Sequence, residues 1–329
     1  MFNVDILENS ILHDYPGVLE ELLRDHTTGK NIFWATNDYE EFGKGYDFFS
    51  QITVSAITDE NERIVRPRVL KSKENQTGRS KNMAEVFTPS WVCNAQINLV
   101  DHSWFGRKEV FNIESLDSRS WEATTVPINF PEGKTWKDYV RSTRIEITCG
   151  EAPYLVSRYD TTTGNYIPLH QRIGMLDRKL RVIGENTTDQ EEWLNITREA
   201  YQNIYGYEWQ GDSLFLARES LLITFLEYFS AKFENLPPME SIKDIANIIS
   251  WNLWQMDGLK FVVPKSCGEK KTIREDLFGN KEVKIEPCLG CQKDDAYAHN
   301  GIYCQIMNWV TGEPIEFVSL LKKQNNECK

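Results

Sequence analysis

The stretch Arg144-Ile-Glu-Ile-Thr-Cys-Gly-Glu-Ala-Pro-Tyr-Leu155 constrains this chain more than any other. Its β-branched residues predict a strand over Ile145 to Thr148, and Gly150 follows almost directly. A strand that runs into a tight glycine turn opens a ligand crevice in an α/β sheet. Ligands sit beyond the carboxyl ends of the strands, and the turn needs a residue whose backbone can approach them closely. Glu146 and Cys149 flank that turn.

Three further segments have a related character. Pro89 and Ser90 start a helix running to about His102, with Thr88 just before it. A threonine hydroxyl and the free N–H groups of a helix start suit a ligand carboxylate. The run Ile204-Tyr-Gly-Tyr-Glu-Trp209 reads as a strand with Glu208 at its carboxyl end, followed by helical apolar spacing from Leu214. A carboxylate in that position can accept from both hydroxyls of a ribose. The segment Ile248 to Leu259 carries Asp257-Gly258, which is also a common turn pair.

Taken in order, these four elements resemble the motifs of S-adenosylmethionine (AdoMet)-dependent adenine DNA methyltransferases, the M subunits of restriction-modification systems. Glu146, Cys149, Gly150, Tyr154 and Leu155 fall in register with the family's first motif, with Ile147 where the family has Pro and Ala152 where it has a second Gly. Val86-Phe-Thr88-Pro resembles the element that contacts the methionine end of AdoMet. Gly206-x-Glu208 with Leu216-Ala-Arg-Glu219 is similar to the second motif, and Asp257 resembles the acid that accepts from the cofactor's adenine amine. The resemblance covers residues from about 84 to 260. It implies a Rossmann-like methyltransferase sheet with helices on both faces, and Thr88, Glu146, Cys149, Gly150, Glu208 and Asp257 as cofactor-binding residues.

The family's Asn/Asp/Ser-Pro-Pro-aromatic motif, which holds and stacks the flipped base, does not follow Asp257. The nearest strings are Asn235-Leu-Pro-Pro-Met239, without the aromatic, and Glu151-Ala-Pro-Tyr154, inside the first motif. No catalytic residue is therefore assigned. The expected function is transfer of the AdoMet methyl group to the exocyclic amine of adenine in DNA, with DNA reached through a partner specificity or catalytic subunit. The competing reading is a non-catalytic AdoMet-fold and zinc scaffold or regulatory subunit of a DNA-processing complex; methylation of a protein or small molecule is a third.

Most of the cysteines lie in the carboxyl-terminal part: Cys267, Cys288, Cys291 and Cys304, with His299 between the last two. Cys288-Leu-Gly-Cys291 is a knuckle that sets two thiolates on one turn, and tetrahedral zinc needs two more such ligands. Residues 265–305 hold few large apolar side chains, so a metal would help order them. The four cysteines are the expected zinc ligands. Unrelated reduced thiols and a redox pair are the other readings.

The length, 329 residues, suits one large domain with an appendage, or two domains. We expect an α/β cap over 1–75, a methyltransferase-like core over 76–264 and a Cys-containing tail over 265–329. The absence of a cationic leader and of long apolar runs predicts a cytoplasmic protein without membrane segments. With 37 basic against 49 acidic residues the net charge is −12, which disfavours extensive contact with phosphates by this chain alone. Arg63, Arg66, Arg68, Lys71, Lys73, Arg79 and Lys81 form a local basic stretch, read as a nucleic-acid groove or a solvated loop. Helices are expected over Pro16–Asp25, Trp136–Arg141, Met175–Ile183, Gln190–Tyr201, Leu214–Lys232 and Ser241–Gln255. Strands are expected near Ile32–Ala35 and Ile52–Ile57, and an irregular insertion over 107–143.

Overall fold

Three short strands, β1 (Arg144–Ile147), β2 (Ile204–Glu208) and β3 (Leu253–Gln255), form a parallel sheet in chain order. They are seen in a computed structural model that describes residues 6–83, 87–275 and 281–321. Ile145 pairs with Tyr205 and Ile147 with Tyr207, while Gly206 pairs with Leu253 and Glu208 with Gln255. Parallel neighbours need long crossovers. Here α2 (Met175–Asn186) and α3 (Gln190–Gln202) lead from β1 to β2, and α4 (Gly211–Phe233) and α5 (Met239–Asn252) lead from β2 to β3. Before them α1 (Ser90–Phe105) follows the Thr-Pro element. The chain is thus mixed α/β, and no helix among the described residues is long and apolar enough to cross a membrane.

Helix α4 is the axis of the core. Its residues from Gly211 to Leu222 are all buried. A helix covered on every side must find partners all round, and it does so across distant parts of the chain. Leu19, Leu22, Ile32 and Trp34 share one apolar cluster with Phe215, Ile245 and Leu253. On the other side Trp193 meets Phe229 edge-on, ring centroids 5.4 Å apart. A smaller cluster joins Tyr207, Trp254 and Met256 to Val263, Cys304 and Ile306, so the strand ends are packed by the carboxyl-terminal segment.

One polar side chain fixes this arrangement. Arg218, fully buried on α4, donates to Leu22 O at 2.6 Å, Arg24 O at 2.9 Å, Ser250 O at 3.0 Å and Leu253 O at 2.6 and 3.0 Å. These carbonyls end the Val18–Leu23 and α5 helices, whose last C=O groups have no intrahelical donor. Burial lowers the Arg218 pKa to about 10, yet the group stays charged at neutral pH. Replacement by methionine would leave the Leu22, Arg24, Ser250 and Leu253 carbonyls without this donor. We expect Arg218→Met to lose at least about 3 kcal/mol in denaturant unfolding, since stripping the partner from buried polar groups is costly.

Several local expectations change. The segment read as a strand at Ile52–Ile57 ends in a helical turn, Val54–Ile57. Residues 32–35 do run beside 48–52, through Ile52 N to Ile32 O and Ala35 N to Phe48 O, but Ala35 takes a left-handed φ of 53° that breaks the ladder. The insertion over 107–143 contains a hairpin, Asn112–Ser115 against Ser120–Ala123. Helix α5 stops at Asn252, not Gln255, because Leu253 to Gln255 pair with β2 instead. The Trp136–Arg141 helix forms as expected, with a capping box in which Asp138 accepts from Thr135 N at 2.7 Å. Ala84 to Val86 of the Thr-Pro element lie outside the described residues.

Candidate functional site

The side chains of β1 alternate against the usual sense. Ile145 and Ile147 are exposed while Glu146 points inward. The two isoleucines border an open cleft of about 1190 Å³ beyond the carboxyl ends of β1 and β2. Thr88, Glu146, Cys149, Gly150 and Glu208 all line it. Exposed apolar groups beside convergent polar ones are what a binding site needs.

The turn after β1 is tightly wound. Thr148, Gly150 and Ala152 take φ values of 48°, 53° and 61°, all in the left-handed region. Glycine does this freely, whereas the two others are strained by roughly 1–2 kcal/mol each. Ala152, which stands where the resembling family has glycine, therefore keeps the glycine conformation at a cost. Two carboxylates hold the turn. Glu146 accepts from Leu155 N at 3.1 Å and Tyr154 N at 3.4 Å. Glu208 accepts from Gly150 N at 2.9 Å, Trp209 N at 2.8 Å and Gln210 N at 3.2 Å. A carboxylate has about four acceptor positions, so Glu208 retains one for a ligand hydroxyl, on Oε2, rather than the pair expected for a bidentate ribose contact.

Burial pushes the Glu146 carboxyl well above its ordinary value, against the backbone N–H groups that favour its ionised form, and Glu208 is raised for the same reason. Burial also pushes up the Cys149 thiol, which makes it a neutral packing group and not a nucleophile. Trp209 and Phe87 add aromatic surface to the cleft.

The remaining expected residues are placed differently. Thr88 borders the cleft, but the N–H of Ser90 at the start of α1 is taken by Asp160 of this same chain, at 2.7 Å. Asp160 has its pKa lowered to about 2 because its hydrogen bonds to Ser90 and Thr162 outweigh burial. Asp257 is not among the residues lining the cleft; its carboxylate closes its own Asp-Gly turn by accepting from Leu259 N at 3.1 Å and Lys260 N at 3.3 Å. The basic stretch is not a continuous groove. Buried Arg79 and Lys71 are ion-paired with Asp212, both at 2.9 Å, at the start of α4, and these charges hold the Asp212 carboxyl well below its usual range despite burial. Lys81 alone of that stretch borders the cleft.

Phe48 and Lys265 also line it, with the Lys265 ammonium 4.1 Å from the Phe48 ring centroid. Nothing in sequence spacing announces these two, because they lie 217 positions apart and meet only in the fold. Tyr154, whose hydroxyl donates to Gln96, had a signal in the motif around Gly150.

A second group lies in the carboxyl-terminal segment. Cys267, Cys288, Cys291 and His299 bring their ligand atoms within 4.8 Å of one another. This Cys3His group could hold a metal ion such as zinc. Cys304, expected as the fourth ligand, is fully buried in the smaller core cluster and its thiol faces Gln255 O at 3.4 Å. The fourth position falls to His299, whose Nδ1 is 3.4 Å from Cys267 Sγ.

Comparison of the chain with protein-family models, with curated proteins and with solved structures finds no match in any of the three. The site must be read from its own chemistry. A first expectation concerns the turn: a Cβ on Gly150 would meet Phe87 at an ordinary 3.5 Å, so Gly150→Ala tests the backbone conformation alone. We expect it to lower stability by about 1 kcal/mol in denaturant unfolding, with the fold otherwise intact.

Proposed function

We propose that this chain binds AdoMet in the cleft at the ends of β1 and β2 and acts as the M subunit of a restriction-modification system, methylating adenine in DNA. The observation that carries this reading is the convergence of Thr88, Glu146, Cys149, Gly150 and Glu208 on one cleft at the carboxyl edge of a parallel sheet. Parallel strands in consecutive order, joined by helical crossovers from β1 to β2 and from β2 to β3, are compatible with a Rossmann-like sheet. The residues present suit the cofactor: one open acceptor on Glu208 for a ribose hydroxyl, a flat Trp209 ring for a purine, and backbone close to the turn at Gly150. Bound AdoMet would supply an electrophilic methyl group. The chain's part is to orient it and to keep water out.

The cleft is larger than a nucleoside alone requires, which leaves room for a second reactant. β1 pairs only with β2 among the described residues, and its exposed Ile145 and Ile147 stand beside the cleft. An open, apolar strand next to the site agrees with a partner subunit supplying the missing Pro-Pro-aromatic element. The Cys3His group favours a second reading, a scaffold or regulatory subunit of the same kind of DNA-processing complex.

Calorimetry with AdoMet, S-adenosylhomocysteine and ATP on the purified chain tests the first step. Binding of the first two but not of ATP is expected, weakened about tenfold or more in Glu208→Ala, with circular dichroism checking that the variant is folded. No binding of any of the three would end the methyltransferase reading and leave the scaffold. A pH series adds a second check. A ligand hydroxyl donates to ionised Glu208, and burial raises that carboxyl's pKa. Affinity should therefore be full near neutral pH and decline on acidification before the ordinary glutamate value of about 4.3 is reached. In Glu208→Gln that decline should be absent.

A further inference from the structure

We infer that Cys267, Cys288, Cys291 and His299 bind one zinc ion, and that this ion fixes the wall of the cleft at Lys265. Around Cys267 Sγ the separations are 3.2 Å to Cys288 Sγ, 3.5 Å to Cys291 Sγ and 3.4 Å to His299 Nδ1. His299 Nδ1 lies a further 3.6 Å from Cys288 Sγ and 3.7 Å from Cys291 Sγ. Tetrahedral zinc with Zn–S of about 2.3 Å and Zn–N of about 2.0 Å sets its ligands about 3.5–3.8 Å apart, so seating the ion needs only small shifts, chiefly a slight spreading of the thiols from Cys267. Three thiolates and an imidazole are soft donors suited to zinc, and four protein ligands leave no open position for a substrate. The ion is structural.

The surroundings are built for close approach. A Cβ on Gly290, between the two knuckle cysteines, would lie 2.6 Å from His299 N, and one on Gly301 would lie 2.9 Å from Cys267 N. The Asn300 N–H points at Cys288 Sγ at 3.4 Å, a donor that supports a thiolate, and the Asn300 amide clasps Gly268 through its N–H and C=O at 3.1 and 2.8 Å.

Lys265, two residues before Cys267, is where this group meets the cleft. Both Phe261 and Lys265 take left-handed φ values, 61° and 55°. Non-glycine residues stay in that region only when their surroundings over-determine them. One end of the 261–267 segment is tied to Asp257, just past β3, and to Tyr303 through bridges of Val262. The other end is held at Ser266, whose Oγ accepts from Ile302 N at 3.0 Å, and at Gly268 by Asn300, and the metal adds an anchor at Cys267 between them.

The test uses the full chain and needs no AdoMet. Metal content by mass spectrometry should give one zinc per chain, retained in Cys304→Ser and lost in Cys291→Ser, whose cysteine is exposed and so tolerates replacement. Cobalt(II) replacing zinc should show sulfur-to-cobalt charge transfer for three thiolates. Hydrogen exchange of the 261–268 segment should quicken about tenfold or more when a chelator strips the metal, and reverse on adding zinc. A wild-type chain that binds neither zinc nor cobalt after reduction and reconstitution would overturn the site. Loss of metal in Cys304→Ser but not Cys291→Ser would overturn the ligand set, and unchanged exchange at 261–268 would overturn its link to the cleft.

Discussion

The guanidinium of Arg218 is the interaction on which the rest of the structure depends. By donating to Leu22, Arg24, Ser250 and Leu253 it closes two helix ends and places the first residue of β3 against α4. Because α4 begins at Gly211, three residues after Glu208, the same helix that is locked by Arg218 also aims the cleft's carboxylate. Bringing the amino-terminal helix, α5 and the sheet to one buried cation makes the core a single cooperative unit, and no apolar contact could satisfy those carbonyls.

The cleft carries the opposite economy. Thr148 and Ala152 in the left-handed region, the raised carboxyls of buried Glu146 and half-buried Glu208, and two exposed isoleucines all lie around the turn at Gly150. Each is locally unfavourable. Such departures gather where a protein binds or reacts, since a ligand can relieve what the empty site leaves unsatisfied. Glu208 shows the compromise within one side chain: three of its acceptor positions hold the turn and one is left over.

The carboxyl-terminal segment shares this logic at a smaller scale. Few large apolar residues are available between Gly268 and Gly301, yet the backbone packs so closely against His299 at Gly290 and against Ser266 and Cys267 at Gly301 that only glycine fits there. That close packing surrounds four donors set together, and the second core cluster around Cys304 carries the segment back to the strand ends.

Much of the local structure was legible in the sequence. The β-branched run before Gly150, the strand ending at Glu208, and the helices after Ser90 and Trp136 follow from side-chain period and caps, which act over a few residues. So did three residues of the Cys3His group, through the Cys-x-x-Cys spacing and a third thiol. What the sequence could not decide is which distant groups meet. Asp257 is the acid of the third motif by resemblance, but its own turn N–H groups claim it; Arg79 and Lys71 are cations by composition, but Asp212 pairs with them; Cys304 has the right element, but the core cluster holds it and His299 takes its place. Short-range spacing determined the strand, the turn and the knuckle, because backbone preferences and hydrogen bonds there are local. Tertiary structure alone decided the partners of each charge and thiol, and the meeting of Phe48 with Lys265, because those depend on how helices pack around α4.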